Sequence, residues 1–151
     1  MPRPEKMRLI SEPPRFFSFK PQGVPSKFLQ KECLSIDEYE AIRLSDYEGL
    51  DHQAASDRME ISRPTFSRLV MRARAKVAKV LVEGHALEIK GGQYEFIHTL
   101  WHCPKCREFF RLCDPELKKP ACPSCRSENL VNVNQEYFGQ KGNCRRNCIS
   151  D

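Results

Sequence analysis

Residues 50–81 read LDHQAASDRMEISRPTFSRLVMRARAKVAKVL, and this stretch decides the architecture of the N-terminal part of the chain. Asp51 and Ser62 favour helix N-caps, so the pattern predicts a short helix, a turn at Glu60-Ile61 and a longer second helix. Spacings of three and four predict one buried apolar stripe on the second helix: Phe66, Leu69, Val70, Ala73, Val77, Val80 and Leu81. Two helices joined by a tight turn, the second one basic at its start, are typical of a helix-turn-helix.

The outward face of the second predicted helix is basic, with six Arg or Lys and no acid between Ser62 and Leu81. In helix-turn-helix proteins the first turns of this helix reach base edges, whereas cations farther along contact phosphates. Arg68 lies opposite the apolar stripe and has a planar guanidinium that pairs with guanine, so we predict a base contact there. The predicted DNA-binding residues are Ser62, Arg63, Thr65, Ser67, Arg68, Met71 and Arg72, with Lys76 and Lys79 on phosphates. The alternative is that the basic face is only solvated.

The composition favours a soluble globular protein. Of the 151 residues, 40% are hydrophobic and 30% are charged, and no apolar run approaches the roughly 20 residues that span a bilayer. The first ten residues lack the apolar core of a secretory signal, so we expect a cytoplasmic protein that does not associate with membranes. The net charge of +5 is unevenly spread, because residues 32–51 carry seven acids and one base. This asymmetry predicts a nucleic-acid face on one side only.

The chain divides at its glycines and prolines. Residues 1–31 form a proline-rich arm in which Phe17 and Phe19 alternate with polar residues and either add a short strand or pack on the helices. The arm either covers the helical core or reaches the minor groove through its basic residues Arg3, Lys6 and Arg8.

Ser35 and Glu38 form a capping box that opens a third helix. We therefore predict a mainly α fold: a helix-turn-helix domain at 1–92, a small β zinc ribbon at 93–138 and a flexible cysteine-containing tail at 139–151.

Four of the eight cysteines predict a metal site. Cys103 and Cys106 form one Cys-x-x-Cys turn, and Cys122 and Cys125 form a second one 15 residues later. Two such turns supply a tetrahedral four-thiolate site, which suits one structural zinc ion, and iron is the alternative. A closed set of four thiolates leaves no open coordination position, so the metal is not expected to be catalytic.

The remaining cysteines are open to several interpretations. Cys113 is either a buried core thiol or a spare ligand. Cys144 and Cys148 form a redox pair, half of another metal site or part of an unstructured tail.

The N-terminal two thirds of the chain resemble an uncharacterised prokaryotic family of small predicted DNA-binding proteins. The resemblance rests on several separate motifs: MPRP at 1–4, FKPQGVP at 19–25, LSIDEYEAIRL at 34–44, DYEGL at 46–50, SRPTF at 62–66, ARAKVA at 73–78 and the double glycine at 91–92. The helical part is also similar to the sigma-factor region that reads the −35 promoter element. Three positions where such motifs often have glycine hold Glu60, Arg107 and Arg126 instead. The resemblance implies a DNA-binding regulatory protein.

The function predicted from these features is sequence-specific binding of double-stranded DNA by a transcriptional regulator, without enzymatic activity. RNA polymerase and a second copy of the chain are further candidate partners. One alternative is a protein-interaction module that acts on RNA polymerase, with the acidic helix making the main contact. Another is an accessory subunit of a DNA recombinase or transposase, which would require clustered carboxylates or an activated nucleophile.

Overall fold

The structure is a computed structural model that describes residues 7–112 and 120–138. These residues form two compact units. The first contains Met7–Leu9 together with Phe16–Tyr94, and the second contains Ile10–Arg15 together with the described residues from Glu95 onward. The predicted domains run 1–92 and 93–138, so the division in the structure differs by assigning Ile10–Arg15 to the second unit. Cys113 and the predicted tail at 139–151 lie outside the described residues.

Among the described residues, three short strands precede three consecutive α-helices, and five further strands and a last helix follow. The helices are α1 (Ile36–Ile42), α2 (His52–Met59), α3 (Arg63–Glu83) and α4 (Val133–Phe138), with a 3₁₀ turn at Ser26–Phe28 and a π-helical segment at Arg43–Tyr47. The strands are β1 (Arg8–Ile10), β2 (Ser18–Phe19), β3 (Lys31–Leu34), β4 (Ala86–Ile89), β5 (Tyr94–Phe96), β6 (Thr99–His102), β7 (Phe109–Leu112) and β8 (Val131–Asn132).

The prediction of a mainly α fold was wrong. The part of the chain that the structure describes has 39% helix and 21% strand, and the strands there form three sheets. Strands were predicted mainly in the ribbon, but β1 and β2 lie in the arm, β3 begins where the arm ends, and β4 follows α3 after two residues. These strands are two to four residues long, too short for an alternating pattern to stand out.

A three-stranded sheet joins the two ends of the helical segment in the first unit. Strand β3, which precedes α1, runs parallel to β4, which follows α3, with Lys31 opposite Ala86 and Leu34 opposite Ile89. Strand β2 adds to the other side of β4 in antiparallel register. The suggestion that the segment around Phe19 adds a short strand is therefore confirmed. The strands at the two ends of the helical segment pair with each other. The sheet therefore holds the start of α1 close to the end of α3.

The helix starts follow the predicted caps. The Ser35 side chain accepts a hydrogen bond from the backbone N–H of Glu38, and the Glu38 carboxylate accepts one from the N–H of Ser35, which completes the capping box. Asp51 caps α2 by accepting from the N–H of Ala54 at 2.7 Å. Each cap satisfies a backbone donor that the first helical turn leaves without a partner.

The predicted apolar stripe of α3 is only partly buried. Phe66, Leu69, Val70 and Ala73 are at most 1% exposed and pack against α1 and α2. Leu81, however, is 78% exposed. Helix α3 is 21 residues long, whereas α1 and α2 have seven and eight residues. Its C-terminal turns therefore extend beyond the helices that bury its first half.

The second unit is built around an antiparallel sheet. Strand β6 pairs with both β7 and β8, and Phe96, Leu100 and Val133 form its buried core. The fully buried amide of Asn134 accepts a hydrogen bond from the backbone N–H of Leu100 and donates one to the carbonyl of His98, both at 2.9 Å. This amide fixes α4 on the sheet. Within the described ranges, no helix is both long and apolar enough to cross a membrane.

Candidate nucleic-acid interface and metal centre

The turn between α2 and α3 depends on a residue with left-handed backbone geometry. Glu60 ends α2 with φ 53° and ψ 43°, and Ser62 then caps α3 by accepting from the backbone N–H of Thr65 at 3.3 Å. A left-handed residue at a helix C-terminus reverses the chain sharply, which is why glycine is common there. Glu60 stands where glycine was noted as usual, and its side chain makes this conformation costly.

We expect the Glu60→Gly variant to be more stable than the natural protein by about 1 kcal/mol, since glycine adopts a positive φ without steric cost. Thermal unfolding of the full chain, followed by circular dichroism, measures the change. Glu60→Ala is the matched control, because it removes the carboxylate but keeps the Cβ atom. If the glycine variant is no more stable than the alanine variant, backbone strain at this turn is absent.

Helix α2 is fixed against α3 by a polar and an aromatic contact. His52 Nδ1 lies 2.8 Å from the Ser67 hydroxyl. The His52 ring also makes an edge contact with Phe66, with 5.3 Å between ring centroids. Ser67, a predicted DNA-binding residue, is therefore half-buried and directed at α2. The role of His52 was not predicted, because nothing in the linear pattern shows that its side chain faces α3.

The first turns of α3 present a polar outward face. Arg63 and Arg68 are exposed, and neither has an ion-pair partner among the residues that the structure describes. Met71 is 67% exposed. The Thr65 hydroxyl lies 2.7 Å from the Ser62 hydroxyl at the helix start. The geometry thus directs the predicted base-reading residue Arg68 into solvent, and its DNA contact stays a prediction.

The C-terminal half of α3 has its cations paired within the protein. The Lys76 ammonium donates to Glu38 Oε2 at 2.8 Å and to the Cys33 carbonyl at 2.9 Å. The Lys79 ammonium lies 2.8 Å from Glu32 Oε1, and this contact raises the pKa of Lys79. These lysines were predicted to contact phosphates. Because carboxylates already neutralise them, the structure gives them a role in holding α3 against β3 and α1.

Four sulfur atoms in the second unit lie close together. The Sγ atoms of Cys103, Cys106, Cys122 and Cys125 all fall within 4.8 Å of one another. The Cys103–Cys125 and Cys106–Cys122 pairs are each separated by 3.5 Å. Tetrahedral zinc with Zn–S bonds of about 2.3 Å separates its sulfurs by about 3.8 Å. The four cysteines thus fit one metal ion, as the paired motifs predict.

The two Cys-x-x-Cys turns have the same backbone structure. In the first, the Cys103 carbonyl accepts from the N–H of Arg107 at 2.8 Å; in the second, the Cys122 carbonyl accepts from the N–H of Arg126 at 2.8 Å. Arg107 and Arg126 have φ values of 63° and 60°. They occupy the positions where glycine was noted as usual, so the turns keep this geometry despite the Cβ atoms.

The environment of the cysteines favours thiolates at part of the site. A hydrogen bond from the backbone of Cys106, opposed by burial, lowers the pKa of Cys103 to about 7. Deprotonated thiols are the form that binds metal, and burial of Cys103 and Cys122 keeps water from these sulfurs. Cys33 is exposed and lies outside the cluster, while Cys144 and Cys148 fall outside the described residues.

The chain therefore combines a helix-turn-helix unit with a four-cysteine ribbon. It belongs to the family described as protein of unknown function DUF134, whose model matches residues 1–97. The resemblance to an uncharacterised prokaryotic family is thereby confirmed.

Relatives match most of the chain, including the ribbon. A UPF0251 protein of Chloroherpeton thalassium is 43% identical over 141 residues, which cover 93% of each chain. A UPF0251 protein of Pelotomaculum thermopropionicum is 41% identical over 129 residues, covering 84% of this chain and 95% of the relative. Another, from Clostridium novyi, is 35% identical over 151 residues, covering 100% and 99%. No solved structure matches.

Proposed function

We propose that this protein binds double-stranded DNA sequence-specifically and regulates transcription, without catalysing a reaction. The observation that carries the proposal is the distribution of cations along α3. Arg63 and Arg68 in the first turns have no ion-pair partner within the described ranges, whereas Arg74, Lys76 and Lys79 in the second half are paired with acids. Open cations at the start of the second helix of this motif are placed for the major groove.

The proposed DNA interface is smaller than the sequence predicts. It consists of Arg63, Arg68, Met71 and Arg72 on the outward face, with Ser62 and Thr65 at the helix start. Ser67 is directed at His52, and Lys76 and Lys79 are directed at acids. An interface of this size contacts few base pairs, so a second copy of the chain or the ribbon is needed for tight specific binding. RNA polymerase is a further candidate partner in this proposal.

The ribbon is proposed to bind one zinc ion that stabilises its fold and takes no part in chemistry. Four thiolates fill the tetrahedral site, so no position remains for substrate or water. The cytoplasm is the compartment that this proposal requires, because the protein must reach DNA in a prokaryotic cell.

Selection of bound sequences from random duplex DNA tests the proposal. Purified, zinc-loaded protein is expected to enrich one motif, and affinity for that motif should fall steeply as salt rises, because bound phosphates release counterions. Failure to enrich any motif, together with no binding of duplex DNA at low salt, would contradict the proposal.

We expect the Lys79→Ala variant to bind DNA as the natural protein does, with the same salt dependence, since its ammonium is held by Glu32. Removing one phosphate contact would instead reduce the slope of log affinity against log salt by about one. Arg63→Ala is the comparison on the same helix, where that reduction is expected. A reduced slope for Lys79→Ala would contradict this expectation and would support the phosphate contact that the sequence predicts for Lys79.

A further inference from the structure

Five large apolar side chains of the first unit are exposed to solvent. Phe17 and Phe19 are 43% and 49% exposed, Phe28 is 71% exposed, and Leu81 and Val82 at the end of α3 are 78% and 85% exposed. Single exposed apolar residues are normal on a protein surface, whereas a group of them marks an interaction site. We call these five residues the apolar patch.

The segments that carry the apolar patch meet beside the start of β4. Strand β4 begins two residues after α3 ends. The backbone N–H of Ala86 donates to the carbonyl of Gln30 at 2.8 Å, which brings the 3₁₀ turn ending at Phe28 to one side of β4. Phe19 lies opposite Leu87 on the other side of β4. The end of α3, the 3₁₀ turn and strand β2 therefore surround the first residues of β4.

Strand β2 leaves its aromatic side chains uncovered. Within the described ranges it is the outer strand of its sheet, paired with β4 and with no strand on its other side. Phe17 and Phe19 alternate with Ser18, so both rings project from the same face of the strand. An outer strand offers its edge to another chain, and proteins commonly protect such edges with charges, proline or a covering segment. Aromatic rings at this edge instead favour an interaction.

The size of the apolar patch suits a dimer. A whole phenylalanine side chain contributes about 150–250 Å², so the three rings at their observed exposures present roughly 300 Å². Leu81 and Val82 add most of their own surface. A stable interface buries about 800 Å² per partner, and about 65% of a homodimer interface is apolar, which requires roughly 500 Å² of apolar area. The apolar patch supplies most of that area.

The charged residues beside the apolar patch select its partner. They have both signs and all are exposed: Lys20, Lys27 and Glu83. The Lys27 ammonium lies 4.9 Å from the centre of the Phe28 ring, and the Glu83 side chain is 52% exposed. Nucleic acid or an anionic membrane favours a border of cations alone, whereas a second copy related by a twofold axis brings lysines to the acid and an acid to the lysines. We propose that the apolar patch binds the same patch of a second copy and forms a twofold-symmetric dimer.

The dimer has a consequence for DNA binding that rests on the proposed function. Leu81 lies 13 positions after Arg68, which corresponds to about 20 Å along the helix. Pairing through the apolar patch therefore leaves the first turns of both α3 helices open to solvent. A twofold dimer with two recognition helices binds two half-sites in opposite orientation. We therefore expect the selected DNA motif to be an inverted repeat.

Sedimentation analysis of the full-length, zinc-loaded protein without DNA tests the dimer. A reductant is present, so that no disulfide links two chains. At about 50 μM protein the mass is expected to be twice the 17.6 kDa of one chain, and dilution should dissociate the dimer. A mass of one chain at this concentration overturns the proposal.

Substitutions locate the interface. Leu81→Lys and Phe28→Lys are each expected to weaken the dimer by about ten-fold or more, because each places a charge where an apolar group is buried on pairing. Both side chains are mostly exposed within one chain, so circular dichroism should show an unchanged fold. Tyr47→Lys is the matched control, since Tyr47 is 86% exposed and lies outside the apolar patch. Dimers that survive both patch substitutions, or that Tyr47→Lys disrupts equally, overturn the assignment.

The outcomes separate this proposal from the proposed function. A dimer that Leu81→Lys disrupts, in a protein that binds no DNA, would refute the proposed function alone. A monomer that selects one motif without an inverted repeat would refute the dimer alone.

Discussion

Replacing Cys122 with serine is expected to release the bound metal and to unfold the ribbon. The Cys122 sulfur is buried and lies 3.5 Å from the Cys106 sulfur, so its loss opens the four-thiolate site. A structural zinc ion contributes about 10–16 kcal/mol of apparent binding energy, which exceeds the stability of most small domains. Metal content, measured by elemental analysis, should fall from about one ion per chain to near zero. Limited proteolysis should then cut within the second unit.

Cys33→Ser is the matched control for this experiment, because Cys33 is exposed and outside the cluster. It should retain the full metal content. The same analysis distinguishes zinc from iron. A Cys122→Ser protein that keeps its metal and resists proteolysis would show that the four cysteines do not form the site.

Replacing Phe66 with alanine is expected to cost about 3–5 kcal/mol of unfolding free energy. Phe66 is fully buried in the first half of α3 and makes the ring contact with His52 that joins the two helices of the motif. A small domain has a total stability of about 5–15 kcal/mol, so this variant should lose a large part of the stability of the first unit. Urea denaturation followed by circular dichroism measures the loss.

Met71→Ala serves as the control on the same helix, since Met71 is 67% exposed. Surface substitutions of this kind usually change stability by no more than about 0.5 kcal/mol. Similar losses for the two variants would mean that the inner and outer faces of α3 are assigned wrongly.

Local signals in the sequence predicted the parts of the structure that depend on neighbouring residues. Ser35, Asp51 and Ser62 cap helices because each side chain satisfies a donor within its own first turn. The cysteine cluster follows from two short motifs whose turns have the same geometry. A helix cap needs only residues of one helical turn, and the cysteine cluster needs only two copies of one short motif. Both can therefore be recognised from the sequence.

The parts that the sequence did not predict depend on distant residues. Strands β3 and β4 pair across more than fifty positions, so neither four-residue segment carries a signal for its partner. Lys76 and Glu38 are 38 positions apart, and only the fold brings them within 2.8 Å. The acidic stretch at 32–51 predicted a nucleic-acid face on one side only, but it did not show that two of its acids, Glu32 and Glu38, form ion pairs with lysines of α3. Arg8 and Asp37, which form an ion pair, are likewise 29 positions apart.

Binding titrations of the natural protein and of Arg68→Ala test the central claim most directly. The two DNAs are the duplex selected by the natural protein and a scrambled duplex, each at several salt concentrations. Arg68→Ala should fold normally and weaken binding to the selected duplex roughly five- to 150-fold, equivalent to about 1–3 kcal/mol, with a much smaller effect on the scrambled one. Equal weakening on both duplexes would contradict base reading by Arg68, and absence of salt-dependent duplex binding by the natural protein would contradict the DNA-binding account itself.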